Sequence, residues 1–248
     1  MCIRLPLAGL LALGLNIPAL AAERGSTSEP LEAKAVTIDR AQAFVGKRQF
    51  RVVNEGQDAG MITVHSRFND AGQYLIHDHS AAESLGIVEE IFVVLDGNSF
   101  APIRTQVHAR MGETYLDANW HWEGLDADSE IEIYNLGSGE HRFLQRPVQM
   151  PAGTLTRATA LYLANAMDLS EGKVIELNWF NSMNGQISPI TYTVTGSAEI
   201  TVPAGTFDTY QVVQEGGQPG NTIYVSKEKP RRIVRFDVTG MDMRLELL

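Results

Sequence analysis

The stretch that decides the fold is Ala198-Glu-Ile-Thr-Val-Pro-Ala-Gly-Thr-Phe-Asp-Thr-Tyr-Gln-Val-Val213, in the last quarter of the chain. At its centre, Val202-Pro-Ala-Gly205 has Pro and Gly at the positions that a type I turn favours. Because Pro203 cannot donate a hydrogen bond to a neighbouring strand, one strand must end there. Just before this stretch, three apolar residues alternate with threonines (Ile190 to Thr195). Period-2 alternation is typical of antiparallel strands with one buried face, so the sequence predicts a hairpin here.

Similar runs precede this hairpin at regular spacing, separated by turn signals such as Asp70-Ala-Gly72 and Asp96-Gly-Asn98. The predicted strands are Gln49–Asn54, Met61–Phe68, Gln73–His79, Ile87–Leu95, Ile103–Arg110, Glu113–Glu123, Glu130–Asn135, His141–Gln145 and Val174–Phe180. Apolar residues at helical spacing predict one helix over Arg157 to Met167, with Thr156 as its cap. The predicted fold is therefore mainly all-β: a strongly curved antiparallel sheet or partly open barrel with one short covering helix.

The N-terminus has the features of a secretory signal peptide over residues 1–22. Arg4 supplies the positive charge, an apolar run follows, and Ala19-Leu-Ala21 is a suitable cleavage site. Residues 23–47 are predicted to be a disordered leader with a possible short helix, and residues 48–248 a single curved antiparallel β-domain. We therefore expect a periplasmic protein, exported through a cleaved signal peptide, that is not an integral membrane protein.

Charge and cysteine content restrict the function further. The formal net charge is −10, and removal of Arg4 with the signal peptide makes it −11, which argues against nucleic acid as a partner. The one cysteine, Cys2, lies in the signal peptide, so disulfides and thiol chemistry are not expected in the mature chain. The sequence contains no Gly-x-Ser-x-Gly, His-Glu-x-x-His or phosphate-binding Gly-Lys-Ser/Thr motif, which disfavours the enzymes that depend on them.

Residues of the C-terminal stretch resemble a known family. Val202 to Tyr210, Tyr224-Val-Ser226 and Pro230-Arg-Arg-Ile-Val-Arg235 are similar to the C-terminal signature of a bacterial family of secreted envelope proteins, catalogued as a domain of unknown function. The resemblance extends over about residues 48 to 248. It implies a curved antiparallel β-fold and supplies no catalytic residues. A histidine-rich pair of strands near its start departs from the family pattern.

Those histidines form a candidate metal site. A three-residue loop at Asp70-Ala-Gly72 would pair His65 with His77, and His79 would be the diagonal neighbour of His65 on the same face. Three imidazoles within reach of each other suit zinc or copper. The alternative is a polar strand face that is merely rich in histidine, because no fourth ligand is evident.

Trp120 and Trp122 form a candidate ligand-binding pair, because residues two apart on a strand share a face. Two indoles side by side suit the floor of a groove for a sugar or an acyl chain, although tryptophans also serve as core residues.

Two hypotheses for function follow. The first is a non-enzymatic binding or scaffold β-protein of the cell envelope, without a cofactor, whose concave face takes an amphiphile or an envelope polymer. The second is a metal-binding protein or metal-dependent enzyme that uses His65, His77 and His79. The ligand and the oligomeric state do not follow from the sequence.

Overall fold

A computed structural model describes residues 31–34 and 36–248. The predicted signal peptide lies outside the described residues. The described part consists of one sheet of sixteen strands, one α-helix and three single turns of 3₁₀-helix at 40–42, 83–85 and 164–166. The strands are β1 (Gly46–Asn54), β2 (Gln57–Phe68), β3 (Tyr74–Ala82), β4 (Ile87–Leu95), β5 (Pro102–Met111), β6 (Thr114–Glu123), β7 (Asp126–Asn135), β8 (His141–Gln145), β9 (Val148–Gln149), β10 (Leu155–Thr156), β11 (Val174–Asn181), β12 (Gln186–Val202), β13 (Gly205–Glu215), β14 (Asn221–Ser226), β15 (Ile233–Val238) and β16 (Met243–Leu247), and the helix is α1 (Arg157–Tyr162).

The sheet is a long meander in which the last strand of the chain, β16, pairs with the first, β1. Its strand order is β10-β11-β12-β13-β14-β15-β16-β1-β2-β3-β4-β5-β6-β7-β8, and β9 pairs with β7. All neighbours are antiparallel except β10 and β11. The strands β8 and β10 end this order without pairing to each other, so the barrel does not close. The prediction of a mainly β, antiparallel, partly open barrel with one short helix is confirmed.

The central hairpin forms as its turn residues predict. The strand β12 ends at Val202, Pro203 and Ala204 make the turn, and β13 begins at Gly205. Along β12, Ile190, Tyr192 and Val194 are buried while the threonines between them are partly exposed. The alternation in the sequence therefore predicts correctly which side chains of β12 are buried.

The sheet curls around α1. This helix contacts β4 and β11, which lie far apart in the strand order. The inward-facing residues of these strands and the helix form one large apolar cluster. A second cluster lies under β5, β6 and β7.

The helix is shorter than predicted. It ends at Tyr162, and the chain continues in a 3₁₀ turn over 164–166. Every residue of α1 is buried, and the helix packs against β4, β10 and β11. Thr156 caps it as predicted, because its hydroxyl accepts a hydrogen bond from the Thr159 N–H at 3.2 Å.

Part of the predicted disordered leader makes backbone hydrogen bonds with the rest of the chain. The backbone N–H of Lys34 donates to the Ala152 carbonyl, and Asp39 N–H donates to the Ala166 carbonyl. The predicted helix near residues 37–45 is reduced to one 3₁₀ turn at Arg40–Gln42. These backbone bonds tie the segment before β1 to the segments on either side of α1, which a polar composition does not reveal.

Candidate functional site

The outer face of strands β1–β6 carries the predicted histidines. His65 on β2 lies directly opposite His77 on β3, and their ring centroids are 6.4 Å apart. His79 pairs with Thr63 and is thus the diagonal neighbour of His65. The predicted register is confirmed, since Phe68 also faces Tyr74 across the Asp70-Ala-Gly72 loop.

His77 is engaged by two neighbours on β4. Its Nε2 lies 2.8 Å from Oε1 of Glu90, and its ring stacks on Phe92 with centroids 4.0 Å apart and an angle of 11° between the planes. Phe92 is 37% exposed. The rings of His65, His77 and Phe92 therefore form a ladder across three strands, open to solvent on one side.

The structure does not arrange these residues as a metal centre. Within residues 31–34 and 36–248, no group of three or more His, Cys, Asp or Glu side chains is placed to hold an ion. Binding of zinc or copper at His65, His77 and His79 stays a prediction. Zinc calorimetry on the wild type and on His77→Ala would test it.

A depression of about 830 Å³ surrounds the ring ladder. Three exposed cations line it: Lys47 from β1, Arg67 from β2 and Arg104 from β5. None of the three makes an ion pair with the residues that the structure describes. Among the described residues, the lining of this depression includes no Asp or Glu, and the nearby Glu90 carboxylate contacts His77. In the whole chain, acidic residues outnumber basic ones by 30 to 20. We call it the cationic depression.

A second depression of about 730 Å³ adjoins it over β5–β8. The two share Val94 and Arg104 in their linings, so they adjoin each other at β4 and β5. Polar side chains of β6 to β8 line the second depression: Asn119, His121, Asp128, Glu130 and Gln145.

The predicted tryptophan pair lies on the opposite, inward face. Trp120 and Trp122 are 1% and 4% exposed, and Phe180 packs edge-on against both rings at centroid distances of 4.6 and 5.5 Å. The Nε1 of Trp120 donates to the Ser182 carbonyl at 2.6 Å. In this arrangement the indoles are core residues, and Trp120 is also among the residues that line the second depression. Their role in binding stays a prediction.

Inside the sheet lies a group of polar residues that the sequence reasoning did not single out. This interior polar cluster consists of Arg48 on β1, Asp78 on β3, Glu89 on β4, and Arg157 and Tyr162 on α1. The Tyr162 hydroxyl donates to Oδ2 of Asp78 at 2.5 Å, and the Ser80 hydroxyl donates to Oδ1 at 2.9 Å. Nη2 of Arg48 donates to the Tyr162 carbonyl at 3.4 Å.

Burial changes the acidity of the two carboxyls of this cluster. It raises the pKa of Asp78 to about 6, against the lowering effect of the Tyr162 and Ser80 hydrogen bonds. Burial raises the pKa of Glu89 to about 8, although the positive charge of Arg157 opposes this. Both oxygens of Glu89 lack a hydrogen-bond partner among the described residues. At neutral pH the Glu89 carboxyl is therefore mainly uncharged, because an ionised carboxylate without partners is costly in an apolar interior.

The cavity beside this cluster is too small for a substrate. It measures about 20 Å³ and is lined by Asp78, Glu89, Arg157, Tyr162, Asn181 and Ser182 together with apolar residues. A volume of this size holds about one water molecule. The interior polar cluster thus ties α1 to the sheet, whereas the two outer depressions are open to solvent.

A sequence signal for the buried carboxyls did exist. Asp78 is in phase with the buried Tyr74 and Ile76 on β3, and Glu89 is in phase with Ile87 and Val93 on β4. A charged residue at an apolar phase of a strand is the pattern to look for. The sequence has no comparable pattern for Lys47, Arg67 and Arg104 of the cationic depression, because each of them comes from a separate strand.

A family model described as "Protein of unknown function (DUF3108)" matches residues 27–246. No curated protein matches the chain. Among solved structures, a beta-barrel-like protein of domain of unknown function DUF1849 from Brucella abortus is similar, with 9% identity, 82% of this chain and 94% of that chain covered, and a TM-score of 0.48. A crystal structure of MucB in complex with MucA(peri) is similar at 11% identity, with 81% and 85% covered and a TM-score of 0.17. Among the described residues, no helix has the length and apolar character needed to cross a membrane.

Proposed function

We propose that this chain, which belongs to the family of proteins of unknown function DUF3108, is a non-enzymatic binding protein of the cell envelope. Its ligand is an anionic amphiphile or polymer, held in the cationic depression on the outer face of the sheet. The concave inner face, which a curved sheet would offer for this purpose, is occupied by α1 and the apolar core.

The observation that carries this proposal is the separation of charge. Lys47, Arg67 and Arg104 line one depression that has no acidic residue in its lining within the part of the chain that the structure describes, whereas the whole chain has a net charge of −10. A ligand with negative groups would supply the counter-charges that these three cations do not find among the described residues. Arginine forms paired hydrogen bonds with carboxylate and phosphate groups, so Arg67 and Arg104 suit either anion.

A binding role fits the site better than catalysis. The two carboxyls whose pKa values are strongly raised, Asp78 and Glu89, are enclosed beside a cavity with room for about one water molecule. Groups that act on a substrate must reach it within hydrogen-bond distance. The accessible depression instead combines cations with the flat rings of His77 and Phe92, which suit contact with a ligand surface.

Location in the periplasm is part of the proposal and depends on the signal peptide predicted at residues 1–22. Mass determination of the protein purified from the periplasmic fraction would test it. A mature N-terminus near residue 22 is expected, and a protein retained in the cytoplasm with Met1 intact would contradict the location.

Native mass spectrometry of protein purified from the cell envelope tests the binding role. We expect the wild type to carry a negatively charged ligand that is lost from an Arg67→Gln, Arg104→Gln double variant. The matched control is Lys229→Gln, which also removes an exposed positive charge but lies in the loop between β14 and β15, outside both depressions. Equal ligand retention by the double variant and the wild type would overturn the proposal, as would a wild-type protein that carries no anionic ligand.

A further inference from the structure

We infer that the ligand of the cationic depression is an acidic polysaccharide that lies across the strands, an inference that rests on the proposed function and names its ligand class. The inference comes from a row of side chains that crosses eight neighbouring strands on the outer face. Consecutive members of this transverse row face each other in the strand register: Lys47, His65, His77, Phe92, Gln106, Asn119, Glu130 and Gln145.

The row is long and continuous enough for an extended chain. Neighbouring strands lie about 4.8 Å apart, so eight strands give a path of about 34 Å. The cationic depression follows the first part of this path, and the second depression follows the rest. Both include Val94 and Arg104, so the two depressions adjoin each other along the path.

The chemistry changes along the path in a way that suits sugars. Flat rings with Lys47 and Arg67 occupy the β1–β4 end, and Arg104 lies on β5 where the two depressions adjoin. The middle and the far end carry amides, together with Arg146 just after β8. Nε2 of Gln106 donates to Oδ1 of Asn119 at 2.9 Å, which leaves further donor and acceptor positions on both amides for ligand hydroxyls. Gln145 adds a third amide on β8.

Other anionic ligands fit this path less well. An acyl chain needs a continuous apolar lining, but the path beyond Phe92 carries Gln106, Asn119 and Glu130. A nucleic acid places a negative charge at every residue, and Asp128 and Glu130 would repel it at the far end. A polysaccharide with carboxylates at intervals satisfies the cations at one end and presents hydroxyls to the amides and carboxylates at the other.

Isothermal titration calorimetry with oligomers of galacturonate, mannuronate and hyaluronate, in lengths from two to ten sugars, tests the inference on the full mature protein. For at least one series, we expect the affinity to rise with length and then level off as the path is filled. The Arg104→Gln variant should weaken binding of every length by about tenfold or more, as expected for a lost charged hydrogen bond of about 1.5–3 kcal/mol. Gln145→Ala should weaken only the longer oligomers, and Lys229→Gln should change none.

The outcomes separate this inference from the proposed function. Binding that depends on Arg104 but not on oligomer length would contradict the inference that the ligand is a polysaccharide. It would still support the proposed function, in which the depression binds an anion. Binding of anionic phospholipid micelles that depends on Arg104, with no oligosaccharide bound, would assign the site to an amphiphile and also overturn the polysaccharide inference. If no probe binds and native mass spectrometry finds no anionic ligand on the purified protein, both proposals fail.

Discussion

The hydroxyl of Tyr162 donates a hydrogen bond to the buried carboxyl of Asp78 at 2.5 Å, although the two residues are 84 positions apart in the sequence. Tyr162 is the last residue of α1, and Asp78 lies in the middle of β3 on the inward face. The bond therefore joins the helix to the sheet that surrounds it. Ser80 donates a second bond to the same carboxyl.

Replacement of Tyr162 by Phe should destabilise the fold by about 1–3 kcal/mol, because Asp78 loses one donor in a buried site. Urea unfolding of the variant and the wild type measures this. The control is Tyr115→Phe, which changes a tyrosine on the outer face that is 37% exposed. Similar losses for the two variants would show that the Tyr162 bond contributes nothing specific.

The pKa of Glu89 predicts how stability varies with pH. Burial raises the pKa of this carboxyl from 4.5 to about 8, so in this range the folded protein retains a proton that the unfolded chain has released. The contribution to stability is complete below about pH 4.5, and the free energy of unfolding falls as the pH rises to about 8. The expected slope within this window approaches about 1.4 kcal/mol per pH unit.

Glu89→Gln should remove this part of the pH dependence, because an amide does not titrate. Urea unfolding of the two proteins at several pH values between about 4.5 and about 8 compares their slopes. The same change at the exposed Glu130 serves as the control and should leave the slope as it is in the wild type. Parallel pH profiles for Glu89→Gln and the wild type would mean that Glu89 does not hold a proton in the folded state.

The core under β15 gives a prediction for packing. Phe236 is 3% exposed and contacts Phe50 edge-to-face at 5.8 Å, whereas its neighbours Arg235 and Asp237 pair with each other on the other face. Phe236→Ala should therefore cost about 3–5 kcal/mol of stability in chemical denaturation. Phe143→Ala, at a site that is 58% exposed on the edge strand β8, should change stability by about 0.5 kcal/mol or less. A loss under about 1 kcal/mol for Phe236→Ala would contradict its place in the core.

Two glycines test the contact between the N-terminal segment and the loop before α1. Gly153 and Gly139 both have positive φ values, +79° and +70°, so alanine is strained by a similar amount at either position. At Gly153 a Cβ would overlap the backbone oxygen of Lys34, while at Gly139 it would meet no atom within 4 Å. Gly153→Ala should lower the melting temperature more than Gly139→Ala does. Equal melting temperatures would indicate that residues 31–34 do not pack there.

Local sequence determined the strands and much of their pairing. Alternation places the side chains of β12 on their correct faces, and Pro203 ends that strand at the predicted point. The short Asp70-Ala-Gly72 loop sets His65 opposite His77, because a tight loop leaves one register that keeps Val64 and Ile76 buried together. These features depend on residues that are near neighbours in the chain, so the sequence by itself was enough for them.

Only the tertiary structure decided where charge is buried and where it is exposed. Period-2 alternation assigns a residue to one face of a strand, but it does not show which residues of other elements pack against that face. Asp78 lies inside because Tyr162 from a distant helix satisfies it, and Arg104 joins Lys47 in one depression because β1 to β5 lie side by side. Long-range contacts of this kind follow from how the whole sheet curls around α1, which no local pattern in the sequence encodes.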